Sequence, residues 1–324
     1  MKIILTESRY DFKYRNIFER IPGIKIVEGT FIELLKILVR RKCYYHIRYI
    51  KYRGPIIAIL RIILVFSLSK ISGSKIIWSC HNIYEHKIPS QKVNDVLRTI
   101  ICFISYKIVV FHEDLVSYLP RFTHKKIIVA SFGDFKEFIE KKTKENKEFE
   151  QLYEKWLKKR NIQYPDIVSI SAAKRNNMSP LTEGLNGTSQ NVLIIAPNQE
   201  FANKENFESN IFVYNKDFVE KEISVILNSP GKLIGYIGHE NISVPTSIYM
   251  YASFGIPVIG LNVEPVSSII KEYSIGEIID EKTSLDFVVK KIIANYNFYS
   301  QNCSKFLHEN NWEKSAEVHK KLFF

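Results

Sequence analysis

Short runs of β-branched residues recur along this chain with helical stretches between them, and that alternation leaves few folds open. KIILT, IKIVE, YYHIRYI, SKIIWSC, KIVVF and KKIIVAS follow one another in the first half. Strands separated by segments of helix length join most simply as βαβ units, so a parallel sheet with helices on its faces is predicted. A second series, DIVSIS, NVLIIAP, NIFVYN, KLIGYIG and IPVIGL, begins after Pro165. At 324 residues the chain can build two domains that each bury a core. Between the series lies KEFIEKKTKENKEFEQLYEKWLKKRN, a charged stretch that reads as surface helices. The expected division is therefore 1–165 for the first domain, with a charged linker over about 136–165, and 166–303 for the second. Residues 304–324 read as an amphipathic helix through Phe306, Leu307, Trp312, Ala316, Val318 and Leu322.

Charge is unevenly placed. Residues 1–165 hold 32 Lys+Arg against 16 Asp+Glu, and the remainder holds 14 against 18, so the net charge of +12 belongs to the first half. No acidic residue occurs from Leu34 to Tyr84. Such a surface attracts anionic headgroups or nucleic acid phosphates. The aromatic residues sit in apolar runs and do not interleave with the basic ones as base-stacking platforms do, which points to a membrane and away from nucleic acid. Within this stretch GPIIAILRIILVFSLSKI is apolar around most of its circumference and carries Arg61 near its middle. It falls short of the ~20 residues of a span, and the charge disfavours a transmembrane helix. A crossover helix packed on the sheet and an interfacial helix anchored by Lys51, Arg53 and Lys70 both remain open. Cys43, Cys80, Cys102 and Cys303 form no CxxC pair, so neither a zinc site nor a disulfide framework is expected. MKIILTESRY lacks the pattern of a signal peptide, and a cytoplasmic location is expected.

Ligands of open α/β sheets bind beyond the carboxyl ends of the strands, so residues just after each run carry the candidate chemistry. In VPTSIYMYASFGIPVIG, residues 244–260, Pro245 suits a first helical turn, Gly255 ends the helix and Pro257 leads into the next strand. Amides near Thr246 and Ser247 would then be free to hold a diphosphate; the plainer alternative is a well-capped helix between two strands. His81 follows another strand run, and an unperturbed imidazole titrates near neutral pH, which suits a proton acceptor; a residue that orders its loop is the alternative. Glu85, His86, His112 and Glu113 are lesser candidates of the same kind.

The stretch FVEKEISVILNSPGKLIGYIGHENISVPTSIYMYASFGIPVIG, residues 218–260, resembles the donor-binding half of GT-B glycosyltransferases related to family 4. IIWSCHNIYEHK, residues 76–87, is similar to the Trp-Thr-Val-His-Asn-Leu-Tyr-Pro-His-Glu strand end of capsule and exopolysaccharide glycosyltransferases of that group. VVFHE and KKIIVASFGDF look like its companion strand ends. The resemblance covers about residues 76–135 and 166–280. It implies an α/β fold of GT-B type, two facing Rossmann-like domains with a C-terminal helix crossing back to the first. It also implies a bacterial, peripheral membrane enzyme at the inner face of the cell membrane. That enzyme would move a hexose from a UDP- or GDP-linked sugar to a lipid-linked saccharide or polysaccharide in surface glycan synthesis.

By position in the resemblance, Thr246, Ser247 and Ile248 lie along the donor phosphates, Tyr236 and His239 line the donor pocket, and Lys174 or Arg175 in ISAAKRNNM supplies a basic phosphate ligand. His81, with Asn82, Glu85, His86 and Glu113 around it, falls on the acceptor side. There an inverting reaction needs a base and a retaining one does not. No metal-ligand spacing and no DxD pair occurs, so no metal or cofactor beyond the donor is expected. Two positions depart from the group. Ser131-Phe132-Gly133 stands for its Pro-His-Gly turn, and Met250 stands where many members carry a ribose-binding glutamate. These departures support an alternative, a catalytically degenerate GT-B subunit that binds and stabilises a partner transferase.

Overall fold

A computed structural model describes residues 1–7, 12–50, 52–85, 88, 90–170, 176–183, 189–196, 210–216, 219–280 and 283–324. Contacts divide the chain into two compact units. The first comprises Met1–Phe132, Asn241–Val244 and Asn310–Phe324, and the second Gly133–Glu240 and Pro245–Glu309.

In the first unit β1 (Lys2–Thr6), β2 (Ile24–Glu28), β3 (Tyr44–Ile47), β4 (Lys75–Ser79), β5 (Lys107–Val110) and β6 (Ile127–Val129) form a sheet in the order β2-β1-β3-β4-β5-β6. Every pairing is parallel. The helices α1 (Phe12–Glu19), α2 (Phe31–Arg40), α3 (Pro55–Ser72) and α4 (Gln91–Ile104) supply the crossovers. Parallel strands covered by helices on both faces are buried along their length, and the run Ile76, Ile77, Trp78 and Ser79 of β4 is enclosed throughout. α2 starts on a capping box: Thr30 Oγ1 accepts from Glu33 N, and Glu33 Oε2 accepts from Thr30 N at 2.8 Å.

The second unit contains α5 (Lys136–Glu140), α6 (Lys147–Arg160), β7 (Ile167–Ile170), α7 (Ser179–Glu183), β8 (Val192–Ile195), β9 (Ile211–Tyr214), α8 (Glu220–Leu227), β10 (Ile234–Ile237), α9 (Thr246–Ser253), β11 (Val258–Leu261), α10 (Val266–Tyr273), β12 (Gly276–Ile279), α11 (Leu285–Ala294) and α12 (Tyr296–Glu309). Its sheet, β12-β11-β10-β7-β8-β9, is also parallel throughout. Counted from β7, that is the doubly wound order 3-2-1-4-5-6 read from the other edge, with its switch point between β7 and β10. β12 was not among the strand runs read from the sequence. It is a short edge strand that opens on Gly276 and carries Glu277, and neither residue favours a strand.

Two boundaries differ from expectation. The charged segment near 136–165 belongs to the second unit, which begins at Gly133 and not at 166. The reason lies in its few large apolar side chains: Phe149 and Trp156 of α6 are fully buried, with Trp156 stacked 5.7 Å from Phe212 and Phe149 edge-on to Tyr214 at 5.0 Å. The terminal segment is not one helix from 304. α12 ends at Glu309, and the Asn311 side chain accepts from Lys314 N at 2.8 Å to start α13 (Trp312–Lys320), which packs on α1 in the first unit. Trp312 meets Phe12 edge-on at 5.6 Å, and Phe323 meets Tyr44 at 4.9 Å.

Candidate functional site

The switch point of the second sheet carries a cavity of about 400 Å³, within the size range of small-molecule sites. Its floor is the carboxyl ends of β7 and β10, through Ile170, Tyr236 and Ile237. Pro245, Thr246, Ser247 and Met250 of the α9 start form one wall, and Phe135, Phe138, Ile139 and Lys142 form another. Asn176, Glu220 and His239 bring polar groups to it.

Local chemistry builds this shape. The Tyr251 hydroxyl accepts from Ile170 N at 2.9 Å and donates to Val168 O at 3.1 Å, pinning α9 to β7. Ser253 Oγ donates to Tyr249 O at 2.7 Å and accepts from Phe135 N at 2.8 Å, which holds the Phe135 wall against the same helix. After β10, the Tyr236 hydroxyl donates to Asn177 O at 2.9 Å, Asn177 N donates to Gly238 O at 2.7 Å, and His239 bridges Asn176. Gly238 is required there, since a Cβ would lie 2.3 Å from Asn177 O. At the far end of α9, Gly255 takes φ +66° and closes the helix.

No side chain caps α9. The amides of Thr246 and Ser247 have no carbonyl within the helix to bond, and they stand at the cavity wall where the helix dipole favours an anion. Tyr236, His239, Thr246 and Ser247 thus line one cavity. Ile248 is not: its side chain is fully buried in the core and its amide donates to Pro245 O at 3.3 Å, so it offers nothing to a ligand. Lys174 and Arg175 lie outside the described residues, as does His86. Sequence reasoning missed Lys142 and Glu220, which pair across 3.6 Å at the cavity, because Lys142 sits in a charge run with no motif to single it out.

The carboxyl edge of the first sheet is built differently. His81, two residues past β4, is stacked between Phe111 at 4.8 Å and Tyr49 at 5.2 Å, and its Nε2 shares a hydrogen bond of 2.7 Å with the Tyr14 hydroxyl. Part of its surface remains exposed while its neighbours enclose the ring. Burial, then the positive charge of Lys13 and the nearby His46, Arg48 and His319, hold its pKa well below the ordinary histidine range. It is therefore neutral at pH 7. Phe132, which stands where the resembled group has a histidine, is buried and stacks on Phe111 at 4.3 Å. Asn82 pairs with Ser243 of the Asn241–Val244 segment. Glu85 is turned inward and accepts from Ile50 N at 3.4 Å, a loop-holding role and not that of a free carboxylate. Glu113 is exposed at the start of the 3-10 turn after β5, while His112 Nδ1 accepts from Asp114 N at 3.3 Å.

Among the described residues no three His, Cys, Asp or Glu side chains gather as metal ligands. The four cysteines are buried thiols.

No family model matches the sequence, and neither does any curated protein. Solved structures do match the fold. HepE of Anabaena, crystallised with UDP, aligns over 99% of this chain and 98% of its own with a TM-score of 0.65 at 8% identity, and it has also been crystallised with UDP-glucose. WaaG, a glycosyltransferase involved in lipopolysaccharide biosynthesis, aligns over 99% of both chains with a TM-score of 0.57 at 9% identity. A glycosyltransferase of Rickettsia africae aligns over 99% of this chain and 97% of its own at 0.60 and 14% identity. The chain has the fold of GT-B glycosyltransferases.

Proposed function

From that fold, we propose that the protein transfers a hexose from a UDP- or GDP-linked sugar to a lipid-linked saccharide or polysaccharide in bacterial surface glycan synthesis, capsule or exopolysaccharide among them. The observation that carries this is the cavity at the β7–β10 switch point, into which the uncapped start of α9 presents the Thr246 and Ser247 amides. An anion at that position receives fixed hydrogen-bond donors and the positive end of the helix dipole, which neutralises a departing diphosphate without a metal. Tyr236 and His239 border the same space, and by position in the resemblance Lys174 or Arg175 is assigned as the basic phosphate ligand.

In an inverting reaction His81 takes the acceptor proton. The tautomer that donates from Nε2 to Tyr14 leaves Nδ1 as the base, and a depressed pKa keeps that lone pair available at neutral pH. Asn82 and Glu113 stand at the same sheet edge on the acceptor side. The enzyme works at the inner face of the cell membrane, drawn there by its basic first half.

Thermal-shift screening against UDP, GDP, CMP and their sugars tests the donor reading, since a ligand at 100 times its Kd stabilises the protein by about 2.7 kcal/mol. A shift with UDP- or GDP-sugars and release of the nucleoside diphosphate on adding acceptor is expected. The absence of any nucleotide-dependent shift overturns it. Phe132 in place of a polar strand-end residue favours a second reading, a degenerate subunit that stabilises a partner transferase. That reading requires nucleotide binding with no turnover by the isolated chain.

A further inference from the structure

The crossovers β2→β3, β3→β4 and β4→β5 step the same way across the first sheet, so α2, α3 and α4 share one of its faces, and α3 packs against both neighbours. α3 buries Ala58, Ile62, Val65 and Ser69 toward the sheet. Ile56, Ile57, Leu60, Ile63, Leu64 and Ile71 recur at helical spacing on the other side and are exposed, Ile56 at 71% and Ile71 at 76%. Arg61, the charge that breaks the apolar run in sequence, is turned inward, paired with Glu7 and laid over the Phe31 ring at 3.9 Å. The outward face is therefore apolar without interruption from Ile56 to Leu64.

At the foot of α3, by the amino ends of β4 and β5, lies a cavity of about 390 Å³ lined by Lys70, Lys75 and Lys126 with Ser69, Ser74 and Tyr106. Lys75 Nζ lies over the Tyr106 ring at 3.7 Å, and Lys126 Nζ donates to Phe103 O at 3.2 Å. None of the three ammonium groups has a carboxylate partner among the described residues. The hydroxyl of Ser69, 3% exposed, has no hydrogen-bond partner there either. Three unneutralised cations around an unsatisfied hydroxyl suit a phosphate. Phe103 on the cavity lining is 68% exposed, and Ile71 follows Lys70, so the phosphate best served is one whose attached chains are apolar.

We propose that this face of the first unit docks on an anionic bilayer, with the outer side of α3 set into the headgroup region and a lipid phosphate held by Lys70, Lys75, Lys126 and Ser69. The helix lies in the plane of the interface and does not span, because its inner side completes the core beneath it. The proposal deepens the membrane part of the function proposed above and is tested without donor. A chain that sediments with vesicles yet binds no nucleotide fails only the transferase reading.

The full chain is sedimented with vesicles of phosphatidylcholine alone and of phosphatidylcholine with phosphatidylglycerol. Preferential binding to the anionic vesicles is expected. Lys70→Gln with Lys75→Gln and Lys126→Gln should weaken it by about 100-fold, roughly five-fold per lysine. Ile57→Ser with Leu60→Ser and Leu64→Ser should abolish sedimentation while circular dichroism stays native. Leu60→Cys carrying an environment-sensitive dye provides a readout that leaves the helix intact, and its emission should shift to the blue on anionic vesicles. The proposal is overturned if the dye does not shift, or if folded glutamine variants bind vesicles as wild type does. It is also overturned if inorganic phosphate or an RNA oligonucleotide engages the lysines while vesicles do not.

Discussion

The two sheets are alike in strand number and in being parallel throughout, yet their carboxyl edges are finished in opposite ways. Beyond β4 and β5 of the first sheet the described residues are packed ring on ring, with His81 between Tyr49 and Phe111 and Phe132 stacked behind. Beyond β7 and β10 of the second, the chain keeps a cavity of about 400 Å³ with the uncapped start of α9 on its wall. The difference follows from what succeeds the strands. Aromatic side chains fill space and exclude water, whereas on the second edge Gly238 lets the strand end lie close against Asn177 and the uncapped start of α9 stands at the cavity wall. One edge holds a side chain in a fixed orientation, and the other keeps an open cavity beside a helix start.

The sharpest way to break that contrast is His81→Ala. If the first edge positions a base, turnover should fall by roughly 10²–10⁴-fold while the nucleotide-induced thermal shift stays as in wild type. Unchanged turnover would reduce His81 to a packing residue.

Acid comes next. His319 is buried without exposure and its pKa is pushed down to about 4, chiefly by burial, and burial also depresses His46 and His81. An unfolded histidine takes a proton near pH 6.5 that the folded one refuses. Stability from His319 is therefore complete above pH 6.5 and is lost as the pH falls toward 4, by about 3 kcal/mol in all. All three histidines belong to the first unit. At pH 5 protection from hydrogen exchange, relative to the intrinsic rate at that pH, should fall there before it does in the second, and His319→Phe should narrow the gap between melting temperatures at pH 7.5 and pH 5. Equal acid sensitivity of the two units would contradict this.

On the second edge, Thr246→Pro deletes one amide at a position where the helix tolerates proline. Affinity for UDP should drop about ten- to hundred-fold with melting unchanged, read by calorimetric titration. The smallest effect is expected from Asn311→Ala. Loss of the α13 cap should cost about 1 kcal/mol in denaturant unfolding without altering nucleotide binding.

Much of the second site was legible because helix and strand signals are local. Pro245, Gly255 and Pro257 mark where α9 begins and β11 follows, so Thr246 and Ser247 could be placed before any contact was known. The Ile248 assignment failed because a resemblance assigns positions and not directions. One residue further along a helix turns a side chain by about 100°, here into the core. The partners of His81 were invisible for another reason. Tyr14, Tyr49, Phe111 and Phe132 come from separate elements, and nothing in their local patterns says that they meet. The charged segment was misassigned because composition weighs its many lysines and glutamates, while its place in the fold is decided by Phe149 and Trp156.

Periodicity and turn residues by themselves determined two series of parallel strands, the helices between them and the strand ends that carry the candidate site residues, because these depend on neighbours within a few positions in the chain. Only the tertiary structure decided which strand end keeps a cavity and which is lined by stacked aromatic rings. It alone decided that Arg61 turns inward and leaves the outer side of α3 apolar. Those outcomes depend on which distant side chains compete for the same space, and packing density settles that competition only once the chain is folded.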